Sequence, residues 1–296
     1  MKIENAAGGP ARKRNTPLKR RVKRAAAHTV LALASAVLIF PVFTVFMTAL
    51  KGFDQIVANP GALFPRPPHW RNFIDVFTVL PFFTYLKNSV VVVVCSVGGV
   101  ALSSSLVAYG FSRFQNRYKE IVFSVMLATI MIPGQVLMIP TFEMFQSFGW
   151  VDTLLPFIVP PLFGGGVTNV FLIRQFMRGL PKSLFESAEI EGASEFRIYA
   201  QITLPLSKAV LFTVAIFTFL GAWSDFMGPL IYLSSPSRFT LAYGMYVYFS
   251  TAFIGATQPW HLICAVNLVI IVPVVALYFF AQRYFVQGIQ LTGIKN

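Results

Sequence analysis

The sequence predicts an all-α membrane protein with six transmembrane helices. Two observations support this class: 56% of the 296 residues are hydrophobic while 12% are charged, and the mean hydropathy is +0.67. A soluble domain carries about 25% charged residues, so this composition argues against a cytosolic enzyme with one large core. It also excludes a disordered chain, which has low hydrophobicity, and two cysteines are too few for a disulfide scaffold.

Six apolar stretches have the length of about 20 residues that a transmembrane helix needs. Numbered one to six in chain order, these spans are residues 28–50, 89–111, 121–142, 154–173, 209–233 and 260–282. Asp225 in span five is the only formally charged residue within them. No segment between the spans is long enough for a soluble catalytic domain of roughly 100–200 residues. We therefore expect any hydrolysis that powers this protein to occur on another chain.

Lysine and arginine are distributed unevenly about these spans. With the amino terminus inside the cell, the segments that face the cytoplasm carry 19 of the 24 basic residues. Because basic loops stay on the cytoplasmic side, the sequence predicts that both termini are cytoplasmic. The net charge of +13 then reflects topology and contact of the tail 1–27 with anionic lipid, rather than nucleic-acid binding. Span one is longer than the core of a cleaved signal peptide, so we expect it to be retained.

Spans two, three and four contain small or helix-breaking residues. Span four has three prolines followed by the glycines 164–166, and span three has Pro133 and Pro140. Broken backbone is tolerated in a membrane only where protein or a wet cavity satisfies the freed polar groups. We therefore expect span four to lie inside the bundle or at a subunit interface, and span three to be kinked. Glycines and serines of segment 98–105 in span two predict a face for close helix contact.

Sequence patterns that indicate catalysis are absent. There is no Gly-x-x-x-x-Gly-Lys-Ser/Thr phosphate loop, no His-Glu-x-x-His and no Gly-x-Ser-x-Gly. His28, His69 and His261 lie far apart and have no metal-ligand spacing. We therefore expect no catalytic residue, no metal site and no cofactor in this chain.

The loop between spans four and five, residues 174–208, carries the most informative pattern. Its first part predicts an amphipathic helix that follows Pro181 and is capped by Ser183. The acids expected in its early turns, where the helix dipole favours negative charge, are Glu186, Glu189 and Glu191. Gly192 is expected to end this helix, and a second helical stretch then returns to the membrane at Leu204-Pro205. A helix held in this way between two spans is suited to docking in a groove on a partner.

This loop resembles the EAA loop of ABC importer permeases, whose pattern is Glu-Ala-Ala-x-x-x-Gly-Ala followed by Leu-Pro. The matching residues are Glu186, Ser187, Ala188, Glu191, Gly192, Ala193, Tyr199, Ile202, Leu204 and Pro205. The chain departs from the family at Ser187, Glu191 and Tyr199, where alanine, aspartate and phenylalanine are usual. These are mild changes of size that keep the acid, the glycine and the proline. The alternative is an interfacial helix with a structural role only.

The resemblance implies the type I ABC importer fold, with a coupling helix between spans four and five. The residues that it assigns to ATPase coupling are Glu186, Ala188, Glu191, Gly192, Ala193, Tyr199, Leu204 and Pro205. It implies as partners a second permease subunit, a dimer of ABC ATPase subunits that hold ATP and Mg, and an external or periplasmic solute-binding protein. The chain itself would not be an enzyme.

Other features resemble the maltose-type carbohydrate permeases, in particular their G-type subunit, which pairs with an F-type subunit. They are the six spans, Trp223-Ser224-Asp225-Phe226, Pro229-Leu230 and the ending Gln282–Gly288. The resemblance implies import of an oligosaccharide or related sugar across a bacterial inner membrane. A disaccharide, a longer neutral glycan, an acidic oligosaccharide and a polyol phosphate remain open as substrates. The implied division is a basic tail 1–27, first helix and external loop 28–84, permease core 85–283 and cytoplasmic tail 284–296.

Trp223, Asp225 and Phe226 are the candidate residues of the substrate path. A carboxylate that faces lipid costs at least ~2.5 kcal/mol, so Asp225 should face protein or water. Two roles remain open for it: hydrogen bonding to sugar hydroxyls, or a structural role in capping broken backbone or pairing with the second permease. The family usually has Trp-Asn-Glu-Phe here, which does not decide between them.

The external loop 234–259 has polar ends and an aromatic centre, a composition that suits an interface. In the maltose-type family the corresponding loop reaches the docked binding protein, which implies contacts at Tyr246 and Gly255. The alternative is an ordinary re-entrant connector that packs on the bundle.

Two other classes compete with the permease. A proton- or ion-coupled transporter or channel predicts internal repeats and buried charges, which are not evident in the sequence. A membrane-embedded enzyme needs a catalytic constellation, which is also missing.

Overall fold

The computed structural model describes residues 17–252 and 258–292, and every regular element in these ranges is a helix. The α-helices are α1 (Pro17–Ala49), α2 (Phe53–Ala58), α3 (Asn72–Val79), α4 (Phe82–Arg113), α5 (Lys119–Ala128), α6 (Met138–Ser147), α7 (Leu155–Ile158), α8 (Val167–Arg178), α9 (Lys182–Ile190), α10 (Glu195–Ile198), α11 (Leu204–Leu206), α12 (Lys208–Trp223), α13 (Met227–Tyr232), α14 (Leu241–Ala252) and α15 (Trp260–Thr292). Turns of 3-10 helix lie at Thr129–Met131, Pro160–Leu162 and Pro236–Arg238, and a π-helical turn lies at Tyr199–Thr203. The predicted all-α class is confirmed.

Four segments of the described chain are long and apolar enough to cross a membrane as helices. They are Lys23–Ala49, Phe82–Arg113, Leu155–Arg178 and Trp260–Gln282. A fifth crossing arises if Glu195–Leu206 and Lys208–Trp223, which meet at 75°, form one bent span. These segments correspond to predicted spans one, two, four, six and five, so the predicted count of six is met only in part.

Span three differs from the prediction because it is not one helix. It consists of α5 with its 3-10 turn, an irregular segment 132–137, and α6. Pro133 is the physical cause, since proline lacks an N–H group and its ring blocks continuation of the helix, and Gly134 follows it. The irregular segment is exposed, with Val136 at 65%. Neither half alone is long enough to span a bilayer.

Helix α4 lies at the centre of the bundle, with α8 and α12 packed along it. The small-residue face predicted for span two is confirmed, because it receives the broken part of span four. A Cβ atom on Gly99 would lie only 3.1 Å from Leu162 Cδ2 and 3.3 Å from the Pro161 carbonyl carbon. On the other side of the contact, a Cβ atom on Gly165 would lie 2.9 Å from Val100 Cα. Glycine at both positions thus sets how closely the two spans approach.

Serine hydroxyls of α4 satisfy carbonyl groups that the breaks in span four leave without helical partners. The three hydrogen bonds run from Ser96 Oγ to the Phe157 carbonyl (2.9 Å), from Ser103 Oγ to the Pro161 carbonyl (2.8 Å) and from Ser104 Oγ to the Gly164 carbonyl (2.9 Å). Such satisfaction by neighbouring helices is what allows irregular backbone at membrane depth. Span four therefore packs on α4 along one face, while Phe163 on its other face is 81% exposed.

We predict that Gly165→Ala destabilises the protein. The added Cβ would overlap Ser104 Oγ and press on Val100, at a residue whose φ is +60°. Overpacking costs about 1–3 kcal/mol, so the thermal unfolding midpoint in detergent should fall. Gly98→Ala is the matched control, because nothing lies within 4 Å of a Cβ there. Equal midpoints for both variants would contradict this packing.

Candidate functional site

The loop between spans four and five folds into two short helices separated by a glycine turn. Helix α9 ends at Ile190, and Gly192 follows with a φ of +76°. The Gly192 N–H donates to the Glu189 carbonyl and the Ala193 N–H to the Ala188 carbonyl, both at 2.9 Å. This pair of bonds is the Schellman ending of a helix, which favours glycine for its left-handed backbone. The prediction that Gly192 ends the helix is confirmed.

The predicted start of this helix was wrong in two respects. Pro181 occupies the N-cap position with extended backbone and Ser183 already lies within the helix, so no side chain caps α9. Because α9 begins at Lys182, its first turn contains no acid, and Glu189 lies in its last turn. The helix dipole disfavours negative charge at that end, so Glu189 requires compensation from elsewhere.

Arg113, the last residue of α4, provides that compensation. Its guanidinium forms an ion pair with Glu189 and a second, at 3.3 Å, with Glu195 at the start of α10. It also lies 5.4 Å from the ring centroid of Phe185. The Tyr109 hydroxyl, one turn earlier in α4, donates to Glu195 Oε2 at 2.5 Å. The end of α4 thus holds both helices of the loop.

Tyr199 anchors the loop from the inside. It is 5% exposed, its hydroxyl is 2.7 Å from Ser105 Oγ, and its ring centroid is 5.2 Å from that of Tyr109. Ala188 is also buried, at 7%. Among the residues that the resemblance assigns to coupling, these two therefore position the loop against α4 and do not lie on its outer surface.

The outer surface of the loop combines apolar and acidic side chains. Ile190 is 88% and Phe196 is 73% exposed, which is unusual for large apolar residues. Glu186 and Glu191 are exposed beside them. We call these four residues the outer ridge. Exposed apolar groups accompanied by exposed carboxylates form a surface that can dock into an apolar groove with a basic rim.

Leu204 and Pro205 lie at the bend that joins the loop to span five. They fall in α11, directly after the π-helical turn, and the chain bends by 75° into α12. Proline has no N–H group, so it interrupts the helical hydrogen bonds and favours such a bend. The buried Ser207 marks the corner, where its N–H donates to the Thr203 carbonyl at 2.9 Å.

Another ion pair, which does not involve Arg113, joins α8 to α5 beside the loop. Arg174 is 4% exposed; its Nη2 donates to Glu120 Oε1 at 2.6 Å and its Nε to the Phe111 carbonyl at 3.3 Å. Its guanidinium stacks 3.7 Å above the Phe123 ring centroid. The hydrogen bond from Arg174 lowers the pKa of Glu120 below its ordinary value. Sequence reasoning did not single out Arg113, Tyr109 or Arg174; their positions at the ends of spans next to an acidic loop were the available signal.

The structure does not bring the three candidate path residues together on one surface. Trp223 is 6% exposed, and its Nε1 donates to the Ile270 carbonyl at 3.1 Å. Asp225 accepts the Gly228 N–H through Oδ1 at 3.1 Å, so its carboxylate caps the start of α13. Phe226 packs edge to face on Tyr246, with ring centroids 4.9 Å apart.

The break in span five faces the break in span three across a cavity of about 280 Å³. Its lining is largely apolar, with Leu137, Met138, Met227 and Ile231, and it also includes Gly134, Gln135, Thr141, Gly228 and Tyr232. The exposed backbone of segment 132–137 also requires water or a partner at this face. The prolines of span three predicted a kink, but no sequence pattern indicated that Gln135 and Thr141 would face span five.

The loop 234–259 contains α14, whose start is bonded to the amino-terminal end of α4. Asn88 Nδ2 donates to the carbonyls of Ser237 and Phe239, at 2.9 and 3.0 Å, and the Leu241 N–H donates to Ser89 Oγ at 2.8 Å. Tyr246 on α14 is 51% exposed. Gly255, the other predicted contact, lies outside the described residues.

Asp152 forms hydrogen bonds that hold the start of the loop 234–259 in place. Its Oδ1 accepts the N–H groups of Ser234 and Ser235, at 2.9 and 2.8 Å, and its other oxygen accepts the Ser235 hydroxyl. These bonds hold the pKa of Asp152 below its ordinary value, and the bond from the Ser235 hydroxyl has the largest effect.

Over residues 17–252 and 258–292, no group of three or more His, Cys, Asp or Glu side chains could hold a metal ion.

Comparisons with known proteins agree on one family. Residues 99–291 match the model of the binding-protein-dependent transport system inner membrane component. The arabinooligosaccharides transport system permease protein AraQ of Halalkalibacterium halodurans is 31% identical over 90% of this chain and 94% of its own. The sn-glycerol-3-phosphate transport system permease protein UgpE of Yersinia pestis is 29% identical over 88% of this chain and 94% of its own.

A solved structure has the same fold. It is a chain of a bacterial ABC transporter involved in the import of the acidic polysaccharide alginate. The TM-score is 0.78 at 17% sequence identity, over 92% of this chain and 100% of that chain.

We predict that Arg113→Gln loosens the loop without unfolding the bundle. Glu189 and Glu195 would lose their cation, at sites that solvent partly screens, so the local cost is about 1 kcal/mol. Hydrogen exchange of residues 185–200 should accelerate about fivefold. Arg71→Gln, which removes an exposed ion pair with Asp75 in the loop 51–88, is the control. Unchanged exchange of 185–200 in Arg113→Gln would show that the ion pairs do not hold the loop.

Proposed function

Because this chain belongs to the family of inner membrane components of binding-protein-dependent transport systems, we propose that it is one of two permease subunits of an ATP-driven importer of an oligosaccharide or related sugar. Its partner permease is an F-type subunit, and the two chains enclose the translocation path. A dimer of ABC ATPase subunits binds ATP and Mg, and a solute-binding protein delivers the sugar from outside. The protein resides in a bacterial inner membrane, with both termini and loop 174–208 in the cytoplasm.

The observation that carries this proposal is the exposed outer ridge on a loop whose buried side is held against α4. Ile190 and Phe196 expose apolar surface while Tyr199 and Ala188 fasten the loop to α4. An apolar surface of this kind buries favourably in a groove on each ATPase subunit. When ATP closes the ATPase dimer, the groove moves and carries the ridge with it. A bias of a few kcal/mol is enough to shift a two-state equilibrium between outward-facing and inward-facing forms.

The substrate path runs through the cavity between the breaks of spans three and five. Its amide, hydroxyl and aromatic groups suit the hydroxyl groups and apolar ring faces of a neutral sugar. Asp225 supports this surface without contacting the sugar, since its hydrogen bond with the Gly228 N–H fixes the start of α13. Trp223 fixes the same region against α15 through its bond to Ile270. Both residues thus position the path, and Gln135 and Thr141 contact the sugar.

We predict that Gly192→Pro abolishes import while the protein remains in the membrane. Proline cannot adopt a φ of +76°, and it removes the N–H that bonds to Glu189. Gly192→Asn is the matched control, because asparagine tolerates left-handed backbone and should retain most of the uptake. Uptake of radiolabelled sugar and membrane abundance are measured together. Normal uptake by the proline variant would refute the coupling role of this loop.

We predict that Asp225→Asn lowers uptake only modestly, because an amide oxygen can still accept the Gly228 N–H. Asp225→Ala should remove the cap, at about 1 kcal/mol, and reduce both complex assembly and uptake. Uptake, substrate-stimulated ATPase activity and recovery of the complex distinguish the two roles. If Asp225→Asn loses uptake but keeps assembly and basal ATPase activity, the carboxylate contacts substrate directly.

We predict that a photocrosslinker at position 246 captures the solute-binding protein, since Tyr246 is half exposed on the external helix α14. The same probe at Phe163, exposed in span four, is the control, and it should capture no binding protein. Position 255 offers a second probe site in the same loop. Failure of both positions in every nucleotide state would favour a simple connector.

A further inference from the structure

A second cavity, of about 440 Å³, lies where the coupling loop leaves the bundle. Its walls are the carboxyl ends of α4 and α8 and the first turns of α5 and α9. Four lining residues are cationic and two are acidic: Arg113, Lys119, Arg178, Lys182, Glu120 and Glu186. Apart from Glu186, no residue of the outer ridge or of the substrate path lines this space, so its charge needs a separate explanation.

The existing ion pairs leave three of these cations without a carboxylate partner; of these, Lys119 Nζ donates to the Phe114 carbonyl at 2.8 Å and keeps its other N–H donors. Arg113 is bound by the acids of the loop, and Glu120 is bound by Arg174. Within the described part of the chain, no carboxylate lies at ion-pair distance from Lys119, Arg178 or Lys182. Of the lining acids only Glu186 remains unpaired there, so the cavity keeps a net positive charge.

Backbone donors add to this positive charge. Helices α5 and α9 both begin at the cavity, and neither start has a side-chain cap. The first turn of a helix carries the positive end of the helix dipole. Here the Lys119 and Leu184 N–H groups donate to the Asn116 and Pro181 carbonyls, at 3.2 and 3.3 Å, and the dipole remains. The Ser112 hydroxyl and the Gln115 amide also line the wall. Cations, uncapped helix starts and neutral donors together suit a phosphate group.

The position of the cavity indicates the source of such a group. Phe114 and Tyr118, which follow α4 directly, are 48% and 58% exposed. Aromatic residues at the end of a span favour the headgroup level of a membrane. Basic pockets between spans on the cytoplasmic side bind the headgroups of anionic lipids.

We propose that this cavity binds a phosphate-bearing anion, the headgroup of an anionic phospholipid of the inner leaflet. This proposal rests on the cytoplasmic orientation of loop 174–208 in the proposed function. The phosphate bridges Lys119 of α5 and Arg178 of α8, and Lys182 adds a contact from the coupling helix itself. Bound lipid thus braces α9 against the bundle, and the lipid composition of the membrane regulates coupling.

The test compares lipid binding by the full chain in phosphatidylcholine nanodiscs with added phosphatidylglycerol. Native mass spectrometry counts the bound phosphatidylglycerol, and the shift of the unfolding midpoint gives its apparent affinity. Lys119→Gln/Arg178→Gln removes two cavity cations. Arg197→Gln/Lys208→Gln, which removes two exposed cations of the same loop outside the cavity, is the matched control. These readouts need neither transport nor ATPase activity, so they can succeed or fail independently of the importer assignment.

We expect the cavity variant to bind phosphatidylglycerol about 30-fold more weakly than wild type, while the control stays within threefold. Lys119→Arg/Arg178→Lys keeps both charges and should restore binding, which separates lost charge from misfolding. If inorganic phosphate alone stabilises wild type but not the cavity variant, without any preference for phosphatidylglycerol, the anion site stands and its lipid source is overturned. Equal affinity of wild type and the cavity variant for both ligands overturns the site.

Discussion

The architecture depends on hydrogen bonds from polar side chains of α4 to backbone groups that broken helices leave unpaired. Three serines of this helix donate to carbonyls of span four. Toward the loop 234–259, Asn88 donates to the Ser237 carbonyl and Ser89 accepts the Leu241 N–H. In a bilayer no water replaces these partners, so each unpaired group would cost several kcal/mol. Because α4 makes these bonds, span four can contain its irregular segments.

The same helix connects the two ends of the molecule. At its amino-terminal end α4 holds the start of α14, and at its carboxyl-terminal end Tyr109 and Arg113 hold Glu195 of the loop 174–208. Its 32 residues span about 48 Å, more than the hydrocarbon thickness of a bilayer. One helix with polar contacts at both ends thus connects the loop 174–208 with the loop 234–259.

Local features were predictable from the sequence, and contacts between distant residues were not. Gly192 ends α9 because that turn requires a residue with left-handed backbone, and Pro133 breaks span three because proline has no N–H group. Both effects act within a few residues. The acids of the loop were assigned to the wrong part of α9, since the helix begins at Lys182, before the predicted cap Ser183. Arg113, the partner of Glu189, lies far away in the chain, and its place at a span end next to an acidic loop was the only signal for the pairing.

The central claim is that the outer ridge enters a groove on the ATPase. Its most direct test places a single benzophenone-bearing cysteine at Ile190, in a chain whose Cys95 and Cys264 are replaced by alanine. Illumination of the assembled complex in native membranes should crosslink this position to the ATPase subunit in every nucleotide state. A probe at Ile190 that reacts only with lipid or with the permease itself would contradict the account.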